Sequence, residues 1–349
     1  MDTKIRVGFI GAGDICRVRH LPGLAKLDGV EVVTVCNRSR ESAQKVAGQF
    51  SISEVDDDWH QLVQRDDLDA VIIGTWPYMH KEMSIAVLEA GKHCFCQARM
   101  CMNLDEAKQM HGAAQDHPGL VNMICPPPTR MPFEPYIRQL IASDKLGKMT
   151  LVELAAVGGS NLDRQRVHWR ERVEYSGQQI MAMGIFAETL NAVVGPYERL
   201  SAQTATPIGT KTAENGEPVN IGIPQIVTIT GRLENGALAV EHHSGLATDG
   251  SSQGSHLTIW GLKGTLRYDF GDTIEFAPAG QPLSPVDVPD ELQRPWLVEQ
   301  DFINAVRSAK RGESWSVSPD FAEGLRYMRK VEAVHQSAAT GQAVLPARL

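Results

Sequence analysis

The feature that most constrains this chain is a short apolar run that ends in glycine. Residues 6–10 (RVGFI) are rich in strand formers, and Gly11, Ala12 and Gly13 come directly after. Residues 14–27 then read as a helix. A strand that ends in a glycine turn and opens a helix offers free backbone N–H groups and a positive dipole end to an anion. In the G-x-G-x-x-G pattern the first glycine permits the tight turn and the second lets a pyrophosphate approach the backbone. Gly11 and Gly13 fill those places, Asp14 and Ile15 open the helix, and Cys16 stands at the third position. A glycine needed only for the bend would leave the same letters, so the pattern takes its meaning from the rest of the first third of the chain.

That third alternates. Strands are expected at 30–36, 68–73, 93–96 and 120–124, and helices at 40–50, 57–65, 79–90 and 103–115, with Asn103 as an N-cap. Alternating strands and helices, with near-continuous apolar strands, mean a parallel sheet covered on both faces. Pro126, Pro127 and Pro128 interrupt the pattern, and the boundary is placed there. Residues 1–125 are read as a dinucleotide-binding domain and 126–349 as a second domain. The second begins with a helix near 134–143, a strand at 150–157 and a long helix at 176–194. Strands at 225–233, 237–242, 256–260 and 264–268 come next, with a hairpin signal at Asn235-Gly236. Helices at 295–309 and 319–339 close the chain and are free to pack back on the first domain. The fold class is therefore α/β: a doubly wound parallel sheet, then an α/β domain with an open, mostly antiparallel sheet.

The second strand ends in Asn37-Arg38-Ser39-Arg40. A site that selects NAD usually carries Asp or Glu there, on the ribose 2′-hydroxyl. Nothing here repels a 2′-phosphate, and Arg38 can pair with one through charge-assisted hydrogen bonds. NADP is favoured, while the Asn37 amide can bond a ribose hydroxyl and keeps NAD open.

Bulk properties exclude several classes. A length of 349 residues suits two domains. Lys and Arg number 34 against 42 Asp and Glu, a net charge of −8 with no polybasic run. A nucleic-acid groove or an anionic membrane surface is not expected. No apolar run approaches the ~20 residues that span a bilayer, and a strand from about residue 5 leaves no room for a signal peptide, so the expected location is the cytoplasm. All six cysteines fall within the first 125 residues, on or beside strands, without zinc spacing. They are read as reduced packing residues, with no metal site.

Over nearly its whole length the chain resembles the Gfo/Idh/MocA oxidoreductases. The matching stretches are GFIGAGDI (8–15), TWPYMH (75–80), LEAGKHCFC (88–96), MNLDEA (102–107), LGKMTLVEL (146–154), SGQQIMAMGIF (176–186), LTIWGLKGTLRYD (257–269) and EAVHQSAATGQAV (332–344). The resemblance implies a Rossmann domain, a C-terminal α/β domain and a pyranose- or polyol-like substrate between them. It also implies homo-oligomers, dimers or tetramers, built through sheet faces. Thr75, Trp76, His80 and Gln97 fall on the cofactor side, with Trp76 a candidate stacking group.

The chain departs from that family where chemistry is expected. A Glu-Lys-Pro sequence is implied after the fifth strand, and Gln97-Ala98-Arg99 stands there. Alanine carries no proton, and losing the proline removes the residue that makes a cis bond cheap. An Asp-x-Gly-x-His-x-x-Asp helix is implied in the second domain; its polar places fall on Ala182, Phe186 and Thr189. Hydride transfer at a carbonyl needs a proton moved to or from its oxygen. Replacement candidates are His168 first, then Arg170 and Arg99, the last able to hold an oxyanion but not to act as a base. Arg130, Tyr175 and Glu188 are further polar options, and only one of His242 and His243 can face a given side of its strand. Two classes stay open. One is an NAD(P)-dependent oxidoreductase of sugar-like substrates with a non-standard acid/base, including a lyase or isomerase that uses tightly held cofactor for transient oxidation. The other is a catalytically inactive dinucleotide-binding sensor.

Overall fold

Parallel strands cannot be joined by a tight turn, so each strand of the first third must lead into a crossover. The computed structural model shows this arrangement, and it describes residues 4–128, 132–163, 166–248, 254–270 and 273–349. Arg130 lies outside the described residues. Two compact units are present: Met1–Pro126 with Leu297–Leu325, and Pro127–Trp296 with Arg326–Leu349.

The first unit holds β1 (Ile5–Ile10), β2 (Val30–Cys36), β3 (Glu54–Val55), β4 (Ala70–Ile73), β5 (His93–Cys96) and β6 (Asn122–Ile124). They form one parallel sheet in the order β3-β2-β1-β4-β5-β6. Helices α1 (Leu21–Leu24), α2 (Arg40–Phe50), α3 (Trp59–Val63), α4 (Pro77–Glu89) and α5 (Leu104–Asp116) make the connections. Every residue of β4 and β5 is buried, which explains their unbroken apolar character. Ile10 lies opposite both Cys36 and Ile73, and Ile73 lies opposite Cys96. The residues that leave these strands therefore stand level at one edge of the sheet.

Some helices differ from their sequence expectation for local reasons. The segment expected as a helix over 14–27 winds as a π-helix over Cys16–His20 before α1, which ends at Leu24. Leu21 N–H reaches the Cys16 carbonyl, five residues back, and Pro22 next to it has no N–H for the regular ladder. The helix expected over 57–65 is shortened because Asp58 caps it, accepting from His60 N–H at 2.9 Å. The Asn103 side chain caps α5 as expected, accepting from Glu106 N–H at 2.9 Å.

The second unit is built on an eight-stranded sheet. Its strands are β7 (Met149–Val157), β8 (Tyr197–Ala205), β11 (Ile226–Leu233), β12 (Leu238–Ser244), β13 (His256–Gly261), β14 (Gly264–Asp269), β15 (Thr273–Pro278) and β16 (Ser284–Pro285). The order is β16-β15-β14-β13-β7-β12-β11-β8, and only β7 and β12 run parallel among the described pairs. A small ribbon of β9 (Thr210–Thr212) and β10 (Pro218–Asn220) stands apart. Burial alternates along β12 and β14, the mark of a sheet with one covered face. This unit also contains α6 (Glu134–Ala142), α7 (Val173–Ser176) and α8 (Met183–Val194). The single helix expected over 176–194 is interrupted by positive φ at Gly177 (57°) and Met181 (45°), conformations no α-helix accommodates.

Residues 297–325, downstream of the three prolines, belong to the first unit. They carry α9 (Val298–Lys310), and α10 (Phe321–Thr340) begins there. Phe302 is fully buried and meets Phe95 of β5 edge-on at 5.5 Å. Phe302→Ala is expected to destabilise the protein by roughly 3–5 kcal/mol, the cost of truncating a core aromatic. Chemical denaturation checks this.

Candidate functional site

The carboxyl edge of the parallel sheet assembles the first candidate site from strand ends. Gly11 N–H bonds the Cys36 carbonyl at 2.8 Å, Gly74 N–H the Ile10 carbonyl at 2.7 Å, and Gln97 N–H the Ile73 carbonyl at 2.9 Å. The site therefore lies where strand order reverses, between β1 and β4. Gly11 has φ +78°, and a Cβ there would meet the Thr75 side chain at 2.5 Å. Around Gly13, in contrast, a Cβ would meet nothing within 4 Å. The first glycine is thus required by its neighbours, and the second leaves open space above the turn. Beyond it, the opening helical turn leaves N–H groups without intrahelical acceptors. Asp14 and Ile15 are exposed there, and Asp14 pairs with Arg17. Such a cradle fits a dinucleotide pyrophosphate.

Asn37 braces the glycine turn. Its Oδ1 accepts from Ala12 N–H at 2.8 Å and its Nδ2 donates to Ser42 Oγ at 2.9 Å. Both ends of the amide thus tie the glycine turn to the start of α2. Ser39 caps α2, and Arg40 pairs with Asp57. Arg38 is exposed and makes no hydrogen bond or ion pair with any described residue.

His80 is a strut. It is fully buried, with Nε2 2.9 Å from the Thr75 carbonyl and Nδ1 2.8 Å from the Arg99 carbonyl. Burial pushes its pKa down, against the pull of the surrounding carbonyls. The ring fastens the loop after β4 to the turn after β5. Trp76 and Tyr78, half in solvent beside them, leave aromatic surface on that edge. In the turn itself, Gln97 Oε1 accepts from Ala98 N–H at 2.8 Å, and Arg99 is buried. The Ala98–Arg99 peptide is cis although no proline stands there, which corrects the expectation from the missing proline.

In the second unit His168 caps a 3-10 turn, Trp169–Glu171. Its Nδ1 accepts from Arg170 N–H at 3.2 Å, so the neutral ring carries its proton on Nε2. His168 and Arg170 are exposed, and the Arg170 guanidinium lies 4.4 Å over the Trp169 ring. Phe186 packs against Phe270 at 5.0 Å and His243 at 6.1 Å, within a run of aromatic contacts that continues to Tyr268 and Phe133. Tyr175 lies under Arg172, and Glu188 is buried in α8.

His243, rather than His242, is the buried member of its pair, and it belongs to a charged array that no motif in the sequence marks. Glu241 places Oε1 2.6 Å from Lys330 Nζ and Oε2 3.0 Å from His243 Nε2. Burial pushes the Glu241 carboxyl up, but the Lys330 ammonium and the His243 proton outweigh it and hold it at about 2. Two-residue spacing on β12 was the only available signal for Glu241 with His243; Lys330 is 89 residues away.

All six cysteines are buried and unbridged. Burial raises Cys16 and Cys94 to about 12, far from a reactive thiolate. No helix among the described residues is long and apolar enough to cross a membrane.

Comparison with known proteins gives these sites a context. The model of an oxidoreductase family with an NAD-binding Rossmann fold matches residues 5–124. A GFO/IDH/MocA C-terminal domain model matches residues 136–267. A 4-carboxy-2-hydroxymuconate-6-semialdehyde dehydrogenase of Sphingobium is 33% identical over 41% of this chain, a match that spans 44% of that relative. Levoglucosan dehydrogenase of Pseudarthrobacter phenanthrenivorans is 23% identical over 96% of both chains. A solved levoglucosan dehydrogenase in complex with NADH and L-sorbose superimposes with a TM-score of 0.85 at 20% identity, over 98% of this chain and 100% of the other.

Lys330→Met is expected to cost roughly 3–5 kcal/mol at neutral pH, because it strands a buried carboxylate. The Glu241 contribution in the native protein is complete above its ordinary carboxyl range and is lost as pH falls toward about 2. Urea titrations of both proteins between neutral and acid pH check the two statements.

Proposed function

The chain belongs to the Gfo/Idh/MocA oxidoreductase family, and from that premise we propose an oxidoreductase that prefers NADP and acts on a sugar- or polyol-like substrate. One observation carries the reading. The Gly11–Gly13 turn stands level with the ends of β2, β4 and β5, at the strand-order reversal, with open space over Gly13. A bound dinucleotide would supply hydride transfer. The chain's own residues do the rest. Gly11, Gly13, Asp14 and Ile15 would receive the pyrophosphate, and Thr75, Trp76 and Gln97 would border the second nucleotide half. Asn37 and His80 hold the surrounding loops in place.

The preference for NADP rests on charge. Arg38 is exposed, has no partner among the described residues, and no acidic residue precedes it at the strand end. Arg40 is occupied by Asp57, which leaves Arg38 to meet a 2′-phosphate. The substrate class rests on relatives named for inositol, levoglucosan and 1,5-anhydro-D-fructose.

For the proton step we assign His168. Its Nδ1 accepts from the Arg170 N–H, so the neutral ring carries its proton on Nε2, the nitrogen that would exchange a proton with a hydroxyl or carbonyl oxygen. Arg170, exposed on the same turn, would carry positive charge for an oxyanion. A second reading has an observation of its own. Phe186, seated among Phe270 and His243, puts a hydrocarbon face where the family resemblance implies an acid/base group, and this suits a protein that binds dinucleotide without turnover.

Nicotinamide fluorescence titrations with NADPH and NADH test the first claim. Arg38→Ala is expected to weaken NADPH by about 10–100-fold, the worth of a charge-assisted bond, and to leave NADH nearly unchanged. Failure of the unaltered protein to bind either would defeat the reading. A screen with levoglucosan, inositols and 1,5-anhydro-D-fructose then looks for absorbance change. On any substrate found, His168→Gln is expected to lower kcat by about 10²–10⁴-fold, the usual range for a lost general acid/base. Dinucleotide binding without turnover on any of them favours the second reading.

A further inference from the structure

The turn after β5 is held by a buried chain of side chains that begins far away in sequence. His20, at the end of the π-helical segment, is 1% exposed and packs edge-on against Phe95 at 5.2 Å. Its Nδ1 lies 2.5 Å from Glu299 Oε1, on α9. Its Nε2 lies 3.2 Å from Gln97 Nε2 and 4.0 Å from Cys125 Sγ. Glu299 is itself 5% exposed, and its carboxylate fills a notch over α1: a Cβ on Gly23 would meet Glu299 Oε2 at 2.7 Å.

Proton placement along this chain has one solution for neutral His20. Ala98 N–H can only donate, so Gln97 must turn Oε1 toward it at 2.8 Å. The Gln97 NH₂ group therefore faces His20 Nε2, which must accept. His20 then carries its proton on Nδ1 and gives it to the Glu299 carboxylate. Each member fixes the orientation of the next, and the last bond falls on the backbone of the 97–100 turn. His80 grips the same turn from the other side, through the Arg99 carbonyl.

We infer that Glu299 and His20 are positioning residues of the dinucleotide site, acting through Gln97 to hold the 97–100 turn against the second nucleotide half. The inference rests on the dinucleotide reading above. In a doubly wound sheet the two halves of the ligand lie on opposite sides of the strand-order reversal. The glycine turn and the β2 end serve the adenosine half, and the β4 and β5 ends serve the other. The relay starts on the helix after the glycine turn and on α9, and its last bond falls on the β5 end. It also accounts for glutamine at position 97. A carboxylate there would present an acceptor to His20 Nε2, and the array would close only with His20 protonated.

The test titrates NADPH, NADH and 2′,5′-ADP into the full chain and into Glu299→Gln, Gln97→Ala and Gln97→Glu. Glu299→Gln and Gln97→Ala are expected to weaken the two dinucleotides about tenfold, the worth of one or two lost hydrogen bonds. Affinity for 2′,5′-ADP, which occupies only the adenosine half, stays within about twofold. Gln97→Glu, which sets an acceptor against His20 Nε2, is expected to weaken the two dinucleotides as Gln97→Ala does. Equal weakening of the dinucleotides and 2′,5′-ADP would reduce the relay to a fold contact and overturn the inference, as would unchanged dinucleotide affinity in both Glu299→Gln and Gln97→Ala. Gln97→Ala removes no charge and keeps the test decisive if Glu299→Gln does not fold. Absence of dinucleotide binding by the unaltered protein would defeat the functional reading and the inference together; unchanged variants of a binding protein would defeat the inference alone.

Discussion

Hydrogen bonding of β1 to two parallel neighbours sets the geometry on which the rest of the first unit depends. With Ile10 in register with both Cys36 and Ile73, and Ile73 with Cys96, four chain segments leave the sheet at one height. Side chains then lock those segments to one another: Asn37 joins the β2 end to the glycine turn, His80 joins the β4 loop to the β5 turn, and Gln97 turns back on its own backbone. Each is a buried or half-buried polar group with backbone atoms among its partners. Such bonds cost little when made and about 1–3 kcal/mol when one side is left unsatisfied, so the loops are held in one arrangement.

Hydrogen-bond partners change the meaning of several polar residues. Asn37 reads as a group able to bond a ribose hydroxyl, and His80 as a cofactor-side residue, when only the sequence is known. With both ends of the amide and both ring nitrogens facing protein atoms, they serve the site by shaping it. Arg38, expected to meet an anion, is exposed. Between a capping Ser39 and a paired Arg40, it is the cation of that corner still available to an incoming anion. In the second unit, buried charge gathers where no sequence motif pointed, around Glu241, and Phe186 sits beside His243 in an aromatic group.

Much of the fold was legible because its signals are local. Apolar runs of strand length, the Asn103 cap and the Gly11–Gly13 turn depend on neighbours a few residues away, and the strands expected in the first third formed close to where their letters placed them. Elements went astray where a local backbone effect intervened: Pro22 forced a π-turn, Asp58 shortened α3, and Gly177 and Met181 divided the long helix. The cis Ala98–Arg99 peptide was not legible, since no proline marks it.

The sequence by itself determined the alternation of β and α, the glycine turn and the absence of an acidic residue directly after β2. These are statements about residue type at short range, and hydrophobic periodicity and backbone sterics suffice for them. Tertiary structure decided which polar groups are already engaged. Glu299 reaches His20 across 279 residues and Lys330 reaches Glu241 across 89. No short-range pattern encodes such pairs, because a buried charge finds its partner by the packing of whole elements.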